Sequence, residues 1–198
     1  MSRAVLLFFV ALLVAAPARA ASDPAAVVTA FHAALADVME HGPQIGCKGR
    51  LDKLDAVISS TFDMDFVASR ILRRRWETLT PQQRTAFTTM MKNLTVQTYA
   101  SNFSHPGAKF ETQETKELSA TRRQVRTKLT PSHDEPVTLD YFVQKFGDNW
   151  RVINVIANGV SDLALRSSQY DKVFEGSGFD GLMDKLQKQI AADRAACA

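Results

Sequence analysis

The chain is poor in the residues that build most reactive centres. It holds two cysteines, Cys47 and Cys197, among 198 residues. They are too few and too far apart for a thiolate metal site, and they form no disulfide framework. Its four histidines, His32, His41, His105 and His133, show no metal-ligand spacing. Three of them fall at helix ends or turns, so they read as solvated surface groups. There is no H-E-x-x-H, no phosphate-cradling glycine loop and no G-x-S-x-G elbow. These absences give no support to a zinc hydrolase, a P-loop nucleotidase or a serine hydrolase, though they do not exclude an enzyme.

An excess of one charge is missing as well. The sequence has 24 basic residues against 21 acidic ones. Arg3 and Arg19 lie in an expected leader that contains no acid, which leaves 22 against 21. A nucleic-acid-binding protein shows a far larger basic excess. Beyond the first residues there is no second long apolar run, no internal repeat and no low-complexity segment. The remainder is the size of one domain with a substantial core.

The leader is the first feature present. Arg3 supplies a positive start, Ala4 to Ala16 is almost wholly apolar, and Ala18-Arg19-Ala20 is a small-residue cleavage pattern. This predicts a secretory signal peptide over 1–20, cleaved after Ala20, and a single domain over 21–198. An uncleaved anchor is the alternative. Export places both cysteines in an oxidising compartment. A Cys47–Cys197 disulfide and two unpaired thiols both remain open.

The first half has helical periodicity. Ser22-Asp23-Pro24 starts a helix that carries Val27, Phe31, Leu35 and Val38 and stops at His41-Gly42-Pro43. Leu51, Leu54 and Ile58 mark a second helix, and Asp63 caps a third. Thr80-Pro81-Gln82-Gln83 is a capping box with proline at the first helical position. The helix it opens holds Phe87, Met90, Met91, Leu94, Tyr99 and Phe103.

The period then changes to two. Strands are predicted near Phe110 to Leu118, around Val125 to Leu129, from Val137 to Val143, and from Trp150 to Ala157. Gly147-Asp148-Asn149 is a hairpin turn. On the last strand, Trp150, Val152, Asn154 and Ile156 are expected on one face, with Ile153 and Val155 on the other. Two helices, near Ser161 to Phe174 and Phe179 to Ala192, close the chain around Gly176-Ser177-Gly178. The order implies an α+β domain with a curved antiparallel four-stranded sheet and about six helices.

Two clusters have a bland and a sharp reading. Arg70, Arg73, Arg74 and Arg75 either complement a helix C-terminus or dock on anionic lipid or an acidic partner. Asp140 and Tyr141 suggest proton transfer, but neighbouring strand residues point to opposite faces and do not share a pocket.

Phe62-Asp63, Trp76, Leu79-Thr80-Pro81, Gln83-Arg84, Phe87 and Tyr99 resemble the first half of the MlaC family of periplasmic lipid carriers. Trp150-Arg151-Val152, Gly159-Val160-Ser161, Arg166, Gln169-Tyr170 and Gly178 to Leu182 resemble the second half. Thr98-Tyr99-Ala100-x-x-Phe103 and Glu135-Pro136-x-x-Leu139-Asp140-Tyr141 are similar to the hopanoid-associated HpnM branch. The sequence departs from the family at Arg73, where glycine is common, and at Asn154 and Asn158, where acids are usual.

The resemblance implies an NTF2/cystatin-like sheet and helices around a deep apolar cavity, with no cofactor and no nucleotide. It implies a monomeric carrier of phospholipid or hopanoid that exchanges with an inner-membrane ABC transporter/MCE-type complex and an outer-membrane lipoprotein complex. Expected lining residues are Phe66, Phe87, Met90, Met91 and Leu94 on the helices. On the strands they are Leu139, Tyr141, Val143, Trp150 and Val152. Plain core is the competing reading for each, because core and cavity wall share one pattern. An exported enzyme acting on an apolar small molecule is the alternative function, and a protein-binding module is a third.

Overall fold

The computed structural model describes residues 23–197, with side chains through 195. The leader expected over 1–20 lies outside the described residues. The order is α1 (Pro24–Thr61), α2 (Met64–Leu72), α3 (Arg74–Thr78), α4 (Pro81–Asn102), β1 (Lys109–Ser119), β2 (Arg122–Thr130), β3 (Val137–Phe146), β4 (Asn149–Ala157), β5 (Val160–Ser161) and α5 (Asp162–Cys197). The fold is α+β, with an antiparallel sheet of strand order β1-β2-β3-β4-β5.

Local chemistry sets most boundaries. Asp23 accepts the amide of Ala25 at 3.0 Å and Pro24 follows it. Asp63 caps α2 by accepting the amide of Phe66 at 2.8 Å. The Thr80 hydroxyl accepts the amide of Gln83 at 3.2 Å, and the Gln83 side chain accepts the amide of Thr80 at 2.9 Å. Each bond satisfies a helix-end donor that has no partner within the helix.

Four features differ from the sequence expectation. Among the described residues the helices are five rather than about six. The first two expected helices run on as α1, bent at Gly46 (φ 64°, ψ −177°) instead of stopping at Gly42-Pro43. The last two form α5, bent at Gly178 (φ 68°, ψ −167°). The buried Arg50 side chain helps to hold the first bend, donating to the carbonyls of Gly42 at 3.2 Å and Ala100 at 3.1 Å. The short α3 was not anticipated. Its carbonyls accept from Arg84, which also lies 5.5 Å from the Trp76 ring centre.

Among the described residues the sheet has five strands rather than four. Asn158 (φ 47°) and Gly159 (φ 83°) both take left-handed conformations and fold β5 back on β4. A two-residue Asn-Gly loop with both φ positive matches the twist of a hairpin.

The face assignment on β4 also changes. Val143 pairs with Val152, but Phe142 pairs with Asn154, so Ile153 is an extra residue in a β-bulge. Beyond the bulge the alternation inverts. Val155 opposite Tyr141 and Ala157 opposite Leu139 join the face of Val152. Asn154 and Ile156 move to the other face with Phe142 and Asp140.

Finally, His32 is a core residue rather than a solvated one, at 5% exposure. The apolar core runs from Val28, Phe31 and Leu35 on α1, through Phe87, Met91 and Leu94 on α4, to Tyr141, Val143 and Val152 on the sheet. Tyr170, Leu182 and Leu186 of α5 complete it. No helix among the described residues is long and apolar enough to cross a membrane.

Candidate functional site

A cavity of about 360 Å³ lies between one sheet face and the helices. Its floor is Leu129 of β2, Leu139 and Tyr141 of β3, and Val155 and Ala157 of β4. Met64 and Val67 of α2 form one wall. Thr98, Tyr99 and Asn102 of α4, with Phe103 just beyond it, form another. Val160, Leu163 and Leu165 frame a rim, and two of these are strongly exposed for apolar residues: Val160 at 59% and Leu165 at 49%.

Polar groups along this surface are mostly occupied by the protein itself. Thr95 Oγ1 donates to the Met91 carbonyl at 2.8 Å. Asn154 Oδ1 accepts from the Ser161 hydroxyl at 3.2 Å and the Leu163 amide at 3.4 Å, tying β4 to the start of α5. Arg166 Nε donates to both carboxylate oxygens of Asp162, at 2.8 and 2.9 Å. Burial, helped by the Asp162 charge, pushes the Tyr99 phenol up. Burial likewise raises Tyr141. Both phenols stay neutral, so neither the Tyr141 floor nor the Tyr99 wall gains a phenolate charge.

The structure divides the expected lining residues. Leu139 and Tyr141 line the cavity. Phe66 lines a neighbouring cleft. Phe87, Met91, Leu94, Trp150 and Val152 sit in the core. Val143 is buried in the core and also borders a groove beside the β2 and β3 strands. Met90 is half-buried and packs against the core. Reasoning from the sequence missed Val67, Leu129, Val155 and Leu163. Val155 was hidden by the bulge, while the Asn-Gly turn was a legible signal for the rim at Val160.

Asp140 and Tyr141 diverge as strand geometry requires. Tyr141 faces the core, where its hydroxyl lies 3.0 Å from His32 Nε2. Asp140 faces the other way and takes a two-pronged pair from Arg126, at 2.8 and 2.9 Å. That hydrogen bonding holds the Asp140 carboxyl below the usual carboxylate range. A general base poised near neutrality needs the opposite shift. Among the described residues, no group of His, Cys, Asp and Glu is placed to hold a metal.

The arrangement suits an apolar guest, with the Asp162–Arg166 pair among the lining residues. The comparisons follow that geometry. A search of curated proteins finds no match. A solved structure from Ralstonia solanacearum, described as a phospholipid-binding protein in complex with a phospholipid, is similar over 87% of this chain and 99% of its own, with a TM-score of 0.78 and 21% identity. That likeness establishes the fold. The MlaC protein family model matches residues 29–188. The chain therefore belongs to the MlaC family.

Proposed function

We propose that this protein carries a phospholipid, with its tails in the cavity beneath α2, α4 and the start of α5. The observation that carries the reading is the contrast within one cavity. The floor and walls are apolar, and the charged pair Asp162–Arg166 stands where the wall gives way to α5. Each buried methylene is worth about 0.8 kcal/mol, so one long acyl chain represents on the order of 10 kcal/mol that water does not accept. A carrier must recover most of that, and apolar walls do so without needing specific polar contacts. The exposed Val160 and Leu165 offer an apolar path from the rim inward.

The phospholipid bound by the structural relative supports the choice of ligand class. Nothing in the cavity favours a fused-ring hopanoid. Export, by the leader over 1–20, places the carrier in the periplasm, between the two membranes it serves. Membership of the family supports handover to an inner-membrane ABC transport system as part of this proposal. We also propose that Cys47, which is not a free thiol, pairs with Cys197, the other cysteine of the chain. The enzyme alternative is weakened by the engagement of Asp140 with Arg126 on the face opposite the Tyr141 hydroxyl.

Mass spectrometry of lipid extracted from natively purified protein tests the assignment. Stoichiometric phospholipid is the expected result. Delipidated protein that takes up no lipid would refute it.

A further inference from the structure

A second depression adjoins the cavity. It is an open cleft of about 840 Å³, where the α2–α3 turn meets the sheet. Ile153, Asn154 and Leu163 belong to both, so the two spaces share a wall. The character changes across that wall. Phe66, Trp76 and Phe142 supply apolar surface to the cleft, and Arg70, Arg73 and Arg122 supply three guanidinium groups, against Glu77 as the acidic lining residue.

The three arginines are exposed. Among the described residues none of them forms an ion pair with a carboxylate. The Arg70 guanidinium lies 5.0 Å from the Phe66 ring centre, and Arg122 Nε donates to Gln144 Oε1 at 2.9 Å. Both are thereby oriented while most of their N–H groups stay available.

Arg73 carries the strongest signal. Its backbone sits at φ 51°, ψ −122°, values close to those of the first central residue of a type II′ turn. That region belongs to glycine, and a side chain there is strained. Strain of this kind persists where surrounding structure or function holds it. Here it places a guanidinium in the cleft at the junction of α2 and α3.

We propose that this cleft binds the phosphate of the lipid headgroup, with Arg70, Arg73 and Arg122 as its ligands. The proposal rests on the carrier reading given above. Arginine forks match phosphate oxygens in geometry and charge. The two spaces meet at Ile153, Asn154 and Leu163 beside β4, so a lipid draped over that boundary would place its tails on the cavity side and its phosphate on the cleft side.

Delipidated protein is titrated with dioleoyl phosphatidylglycerol and with dioleoylglycerol, which has the same tails and no phosphate. The variants are Arg73→Gly and the double variant R70Q/R122Q. Arg74→Gln, exposed and outside the cleft, is the control. Both cleft variants should weaken phosphatidylglycerol binding by about tenfold and dioleoylglycerol binding by less than about twofold. Arg73→Gly should also raise the melting temperature by about 2 °C or more as strain is released.

Equal losses for both lipids, or no loss for either, would overturn the proposal. So would weakened adsorption to anionic vesicles with unchanged lipid affinity, which would make the cleft a membrane-docking surface. Inorganic phosphate that binds delipidated protein through Arg73 but does not compete with phosphatidylglycerol would mark a separate anion site, and would overturn it too. Wild-type protein that binds neither lipid would sink the carrier reading, and this proposal with it.

Discussion

His32 Nε2 and the Tyr141 hydroxyl lie 3.0 Å apart inside the core, joining α1 to β3 across 109 positions of sequence. Phe110 stacks on the imidazole, with ring centres 4.2 Å apart. Burial pushes the His32 pKa down from 6.5 to about 4. The folded protein therefore takes up this proton less readily than the unfolded chain. The contribution of His32 is intact above pH 6.5 and is lost as pH falls from 6.5 towards 4. The loss is on the order of 3 kcal/mol once pH is below both values. Urea unfolding across that range should show the decline. His32→Gln, which cannot titrate, should flatten it.

Filling the cavity separates wall from core. Val155 is half-buried and lies on the floor. Val155→Trp should cut bound phospholipid by about tenfold or more and leave the protein folded, as read by native mass spectrometry and circular dichroism. Leu94→Ala, deep in the core, should cost about 2–5 kcal/mol of stability while the lipid stoichiometry of the folded fraction holds.

Asp140→Asn removes one side of a pair on the face away from the cavity. The melting temperature should fall by about 1–3 °C, and lipid binding should not change. Its stabilising effect is present above the ordinary carboxylate range. It disappears as pH falls below about 4, because Arg126 lowers the carboxyl pKa in the folded state. Turnover of an apolar substrate that vanished in this variant would revive the enzyme reading.

A Cys47–Cys197 bridge closes a very long loop. Reduction should lower stability by several kcal/mol, on the order of 2–5. Peptide mapping without reductant should find the two cysteines in one linked peptide. Two alkylatable thiols in the native protein would refute the pairing.

Thr80→Ala removes the acceptor that pairs with the amide of Gln83. The cost should be about 1 kcal/mol in chemical denaturation, with lipid binding preserved.

Features written in short stretches were legible in the sequence. The caps at Asp23, Asp63 and Thr80, the four long strands and the breaking point near Gly178 all depend on residues within a few positions. Long-range register was not legible. The inversion at Ile153 exists because β3 and β4 pair with one residue to spare, and a period-2 pattern does not reveal which strand carries the surplus. The burial of His32 likewise needs Tyr141 and Phe110, contributed by distant strands. Trp150 and Val152 were correctly read as covered, but core and cavity wall look alike in a linear pattern. Arg73 stood out as a departure from a glycine position, and its positive φ shows what that departure involves.

The bulge at Ile153 has an evolutionary consequence. Ile153 and Asn154 form a partition with one compartment on each side. A substitution at either position alters both compartments at once, so tail capacity and headgroup preference are not free to drift separately there. Diversification of cargo is easier at residues that see one side only, Val155 and Leu129 towards the tails, Arg73 and Arg122 towards the phosphate.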